Sequence, residues 1–133
     1  MSVNDQTESF RKNLKAQLIH AAKIAIPVTY RDLAQAVGIR PPGSIHQLTE
    51  LLEELMAEDA AADRPFLAAL VVSKTGKALP GRGFFEYARK LGRSDTNLSE
   101  TEAATFYLAE LSAAISYWRQ TELKSMGADF FIE

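Results

Sequence analysis

The sequence predicts a mostly α-helical α+β domain with one small β-hairpin or sheet. Apolar residues recur at helical spacing in several segments, most clearly over 5–25 and 99–120. One run, Phe66 to Val72, is almost continuously apolar and rich in branched side chains, as a buried strand is. The chain has 133 residues, 47% of them hydrophobic and 24% charged, which predicts a single domain over 1–133.

Two helices are predicted in the first third of the chain. The first covers 5–25, and Asp5 with Glu8 resembles a capping box at its start. Its apolar stripe is Phe10, Leu14, Leu18, Ala21 and Ala25. The second is short: Thr29 is its predicted N-cap, and Gly38 is predicted to end it in the left-handed conformation.

A third helix and the β structure follow a stiff connection, Arg40-Pro-Pro-Gly43. Ser44 and Gln47 predict a capping box at the start of this helix. Its apolar face is Ile45, Leu48, Leu52, Leu55 and Met56. Phe66 to Val72 is predicted as one buried strand, with a turn at Thr75-Gly76 and a short returning edge strand to Leu79.

Two further helices complete the prediction. One covers 84–91, and the last begins at a capping box of Ser99 and Glu102 and runs to about Gln120. The apolar tail 127–132 is predicted to pack on the rest of the protein.

The order of elements over 28–92 is helix, turn, helix and hairpin. That is the order of a winged-helix module, a variant of the helix-turn-helix that usually binds nucleic acid. The predicted architecture is therefore a winged-helix-like core with extra helices at 5–25 and 99–120. These terminal helices must bury their apolar stripes on the core or on a second subunit, which leaves a homodimer open.

Composition excludes several classes of function. The absence of cysteine excludes disulfides, thiolate nucleophiles and zinc sites built on cysteine. The N-terminus lacks a signal-peptide pattern, and no window approaches the ~18 consecutive apolar residues of a membrane span. We therefore expect a cytoplasmic protein without a membrane partner.

Charge is unevenly distributed along the chain. The net charge is −2 with a pI near 5.7, which counts against a dedicated nucleic-acid binder. Residues 49–64, however, carry six acidic side chains and one arginine, a net charge of −5. Residues 72–93 carry six basic side chains and one glutamate, a net charge of +5. The two blocks either neutralise each other or leave a positive face on the protein.

Short motifs in this region resemble a known family. They are Thr29-Tyr30-x-x-Leu33-Ala34 with Gly38, Pro65 before the predicted strand, Lys74-Thr-Gly76, and Pro80-Gly-Arg-Gly83 (the glycine corner). Together they resemble the winged-helix domain of O6-alkylguanine-DNA alkyltransferases and their alkyltransferase-like relatives. A closer likeness is to small bacterial domains with a T-Y-x-x-L-A helix, an apolar L-V-V strand and a P-G-x-G-F corner.

The chain departs from the alkyltransferase pattern where the chemistry occurs. That family accepts the alkyl group on a cysteine in a Pro-Cys-His-Arg context, whereas here Pro65 precedes Phe66-Leu-Ala-Ala. Without a thiol, alkyl transfer is excluded. The alkyltransferase-like proteins also lack the thiol yet bind damaged DNA, so the resemblance implies binding of duplex DNA alone.

The candidate binding residues are mainly cations around the hairpin and the glycine corner. The predicted nucleic-acid contacts are Arg40, Ser44, His46, Lys74, Lys77, Arg82 and Arg89. The predicted anion-binding corner is Gly81, Arg82 and Gly83, where free amides and the positive end of a helix favour an anion. The alternative is an ordinary turn with solubilising lysines. Glu50, Glu53 and Glu54 make the third helix unsuitable beside phosphates, so only its first turn suits contacts with bases.

No residue set predicts catalysis, a metal or a cofactor. His20 and His46 have no second ligand at metal-binding spacing, and the glutamates of 44–58 lack the Glu-x-x-His pair of a di-metal site. We therefore expect a non-enzymatic module that binds nucleic acid in a regulatory or accessory role. The alternative is a protein–protein interaction domain that uses the acidic helix 44–58 or an apolar dimer surface.

Overall fold

The computed structural model describes the backbone of residues 3–74, 79–95 and 98–130 and the side chains of residues 6–74, 79–95 and 98–121. In these ranges it is mostly helical with a small sheet, as predicted. The elements are α1 (Val3–Ile24), β1 (Val28–Thr29), α2 (Tyr30–Val37), α3 (Ser44–Ala61), a 3-10 helix (Leu67–Leu70), β2 (Val71–Val72), α4 (Arg82–Lys90) and α5 (Glu100–Phe130). None of the described helices is both long and apolar enough to cross a membrane.

The sheet consists of β1 and β2, which pair in parallel with Val28 opposite Val71. The prediction of one strand from Phe66 to Val72 is wrong, because the first part of this run forms the 3-10 helix. Every residue of the run is buried, so its sequence has no apolar alternation that distinguishes a strand from a helix. The amide of Ser73 donates to the carbonyl of Leu79 over 2.8 Å, which closes the following loop. Two parts of the prediction lie outside the described residues, namely the turn at Thr75-Gly76 and the side chain of Lys77.

The predicted caps at both ends of α2 and at the start of α5 are confirmed. The Thr29 hydroxyl accepts a hydrogen bond from the Asp32 amide at 3.1 Å, at the start of α2. Gly38 ends that helix with φ 93°, a left-handed conformation that glycine adopts without steric cost. Ser99 and Glu102 form the predicted reciprocal capping box before α5, with hydrogen bonds of 2.9 and 3.1 Å.

Two other predicted caps are wrong. Because α1 begins at Val3, Asp5 lies inside the helix and not at its N-cap. The N-cap of α3 is Gly43, which makes no side-chain cap, and Ser44 is the first helical residue. The last two helices also extend beyond their predicted limits, since α4 begins at Arg82 and α5 continues to Phe130.

Residues 66–72 (the buried segment) form the centre of the core, where they contact α1, α3 and α5. Two carboxylates hold their backbone. Asp59, 2% exposed, accepts a hydrogen bond from the Leu67 amide at 3.0 Å, and Glu110 accepts one from the Phe66 amide at 3.1 Å. Arg64 lies 3.1 Å from Asp59 and Arg93 lies 3.4 Å from Glu110, so each carboxylate has a cation beside it.

Two glutamates of the acidic block, Glu54 and Glu58, pair with cations of α1. Glu58 lies 3.0 Å from the guanidinium of Arg11 and 2.9 Å from the amine of Lys15. Glu54 lies 3.5 Å from Arg11. Between residues 49–64 and the described part of 72–93, no ion pair forms. The described cations of the basic block are therefore not paired with the acidic block.

The ion pairs of Glu58 predict a pH-dependent contribution to stability. The hydrogen bond from Lys15 lowers the pKa of Glu58, although its burial acts in the opposite direction. A lowered folded-state pKa stabilises the fold above the ordinary glutamate pKa, and this contribution is lost as the pH falls through the lowered value. Because Glu58 is 36% exposed, water screens the pairs. We expect Glu58→Gln to reduce the free energy of unfolding by only about 1 kcal/mol near neutral pH.

Urea unfolding at about pH 7 and about pH 3 measures this difference. The difference in unfolding free energy between wild type and Glu58→Gln should be smaller at the lower pH. The control is Glu86→Gln, which changes an exposed glutamate on α4 and should match wild type at both pH values. An equal gap at both pH values would show that the ionised form of Glu58 does not stabilise the fold.

Candidate nucleic-acid interface

The glycine corner is fixed to the start of α2 by one hydrogen bond. The amide of Gly81 donates to the hydroxyl of Tyr30 at 2.9 Å, although the two residues are far apart in sequence. Burial raises the pKa of Tyr30, and the Gly81 hydrogen bond partly offsets this effect. Pro80, just before, is buried, so the corner is anchored to the body of the protein.

The first amides of α4 are only partly available to a ligand. The amide of Gly81, which was expected to face an anion, donates to Tyr30. Within the part of the chain that the structure describes, the amides of Arg82 and Gly83 have no protein acceptor. Such amides, at the positive end of a helix, attract an anion.

A pocket of about 280 Å³ lies between α3, the end of β2 and the glycine corner. Its walls are mainly apolar and also contain a few polar side chains. The lining residues are Tyr30, Ile45, Thr49, Leu52, Glu53, Met56, Ala68, Ser73, Gly81, Gly83 and Phe84. A side chain at Gly83 would meet no atom within 4 Å, so this glycine borders open space. The arrangement can enclose a small, flat, partly apolar group.

The described cations of the predicted site are exposed and unpaired. Lys74 follows β2, Arg82 begins α4, and Arg89 lies near its end. None of them forms an ion pair within the described ranges. Arg82 and Arg89 are seven residues apart on α4 and share one face, on which Glu86 lies between them. The fourth predicted cation of this group, Lys77, lies outside the described residues.

The other predicted contacts lie around the start of α3. Arg40 is exposed in the connection that contains the cis Pro41–Pro42 bond. Ser44 is the first residue of α3, and the imidazole of His46 is 2.7 Å from the carboxylate of Glu50. These side chains do not line the pocket. Ile45 and Thr49, on the adjacent face, do so instead.

The sequence interpretation missed the pocket, including Tyr30, Thr49 and Glu53. A signal was present, because the α3 residues that line it are spaced four, three, one and three residues apart, which places them on one helical face. In the sequence, this pattern cannot be distinguished from that of a helix face in the core with charged residues beside it. The approach of Tyr30 to the glycine corner depends on the tertiary fold and has no local signal.

The described residues contain no group of three histidine, aspartate or glutamate side chains arranged to hold a metal ion.

No family model, curated protein or solved structure matches this chain at a significant level.

The hydrogen bond between Tyr30 and Gly81 predicts that a change at Tyr30 loosens the glycine corner. Tyr30→Phe removes the hydroxyl that accepts the Gly81 amide, so we expect a loss of about 1 kcal/mol in the free energy of unfolding. The exchange of the Gly81 amide proton, followed by NMR, should also accelerate. Tyr87→Phe is the control, since it removes a tyrosine hydroxyl on α4 that makes no hydrogen bond in the described structure. Unchanged Gly81 exchange in Tyr30→Phe would contradict this role.

Proposed function

We propose that this chain is a non-enzymatic module that binds duplex DNA. In this proposal Lys74, Arg82 and the first amides of α4 contact phosphates, and an unstacked base enters the pocket. The supporting observation is an apolar pocket whose walls include the chain neighbours of Lys74 and Arg82, two exposed cations that form no ion pair with the described residues.

The cations provide affinity that is independent of sequence. Lys74 and Arg82 are exposed and have no carboxylate partner among the described residues, so neither must break an ion pair to reach a phosphate. Each phosphate they neutralise releases a counterion and steepens the dependence of binding on salt. The unpaired amides of Arg82 and Gly83 add donors at the positive end of α4.

The pocket supplies a place for a base outside the helical stack. Phe84 and Met56 offer apolar surface for a ring, while Thr49 and Ser73 place polar atoms at the walls. Extruding a base costs a few kcal/mol and is easiest where the base is mismatched, damaged or unpaired. A module of this design therefore favours duplexes with a weakly paired base over regular duplexes.

The acidic side chains of α3 repel phosphates less than their number implies. Arg11 and Lys15 on α1 form ion pairs with Glu54 and Glu58. Repulsion of phosphates by this helix is reduced accordingly.

A protein-interaction role is the second candidate, and the outer face of α5 favours it. Leu108 is 60% exposed there, and it borders a shallow groove together with Leu111 and Ile115. Exposed apolar residues on one helical face are typical of a contact with another protein or a second copy of the chain.

Binding of a labelled duplex with one unpaired central base, measured by fluorescence anisotropy over a range of salt concentrations, tests the main proposal. We expect Lys74→Ala and Arg82→Ala each to weaken binding and to reduce the slope of log affinity against log salt by about 0.9. Lys12→Ala, an exposed lysine on α1, is the control and should keep the wild-type slope. Binding by wild type that does not depend on salt, or slopes unchanged in both variants, would reject the proposal.

A further inference from the structure

Among the described residues, Glu53 is the one glutamate of α3 that has no side-chain partner. Glu50 contacts His46, Glu54 contacts Arg11, and Glu58 contacts Arg11, Lys15 and Arg64. Within the described part of the chain, the carboxylate of Glu53 forms neither an ion pair nor a side-chain hydrogen bond. Its acceptor oxygens are therefore available to a ligand.

Glu53 also sets the charge of the pocket. Among the described residues that line it, Glu53 alone carries a charge, and the others are apolar or neutral polar. Arg82 lies between two lining glycines but is not itself part of the wall. The charged side chain that the described wall itself contains is therefore a carboxylate, whereas Arg82 lies outside the wall.

A carboxylate discriminates between bases by their hydrogen-bond donors. It accepts hydrogen bonds and donates none, so it pairs with exocyclic amino groups such as those of guanine, adenine and cytosine. Guanine presents an amino group next to a ring N–H, two adjacent donors that match the two carboxylate oxygens. Thymine has no amino group, and carbonyl oxygens flank its ring N–H on both sides, which a carboxylate repels.

From this geometry we infer that Glu53 makes the pocket selective for a base with an exocyclic amino group. The inference rests on the proposed binding of duplex DNA and adds the class of base that the pocket accepts. Glu53 acts as the acceptor for the amino group, Phe84 and Met56 contact the ring, and the cations outside hold the backbone. Selectivity and overall affinity then reside in different residues.

Pairs of bases that differ by one amino group test this role. One pair of duplexes carries guanine or hypoxanthine opposite an abasic site, and a second pair carries adenine or purine there. Within each pair only the exocyclic amino group changes. A hydrogen bond to a charged acceptor predicts that wild type binds the amino-bearing member about tenfold more tightly.

Variants of α3 test whether Glu53 causes the preference for the amino-bearing base. Glu53→Leu should remove the preference, and Glu53→Gln, which keeps the size of the side chain, should reduce it. Glu50→Leu is the matched control on the exposed side of the same helix and should keep the wild-type preference.

The possible results distinguish the role of Glu53 in selectivity from DNA binding itself. Salt-dependent binding without any preference between the paired bases overturns the role of Glu53 and leaves DNA binding intact. A preference that persists in Glu53→Leu and Glu53→Gln overturns the role as well. Absence of salt-dependent binding by wild type rejects DNA binding and the inference together.

Discussion

Two carboxylates hold the centre of this protein, the buried Asp59 and the partly buried Glu110, and the candidate interface depends on them. Asp59 and Glu110 accept the amides of Leu67 and Phe66, where the buried segment enters the core. A buried carboxylate is costly unless it is hydrogen-bonded and paired with a cation. Arg64 meets this requirement for Asp59, and Arg93 meets it for Glu110 while its guanidinium also lies 4.0 Å from the centre of the Phe66 ring.

The position of the interface follows from that segment. Ala68 forms part of the pocket wall, and Lys74 emerges just after β2. The rings of Phe66 and Phe84 pack edge to face at 6.1 Å, which sets the orientation of α4 and of the glycine corner at its start. The pocket is thus bounded by α3 on one side and by the glycine corner and the start of α4 on the other.

Some features that depend on neighbouring residues could be predicted from the sequence, although two of the four predicted N-caps were wrong. Features that depend on distant residues could not be predicted. The caps at Thr29 and Ser99 involve residues three positions apart, and both were predicted correctly. The bond between Tyr30 and Gly81 spans 51 residues and leaves no local pattern. The exposed cations were recognisable from charge. Glu53 was expected only to keep the third helix away from phosphates, because its place in the pocket wall depends on the tertiary fold.

Native-state hydrogen exchange at the amides of Phe66 and Leu67 tests most directly whether these carboxylates hold the core. If they do, both amides should exchange only through global unfolding, with an opening free energy equal to that obtained from denaturant unfolding. Exchange of either amide at the rate of an exposed loop would contradict this role of the carboxylates, because the backbone of the buried segment would then open without unfolding the protein.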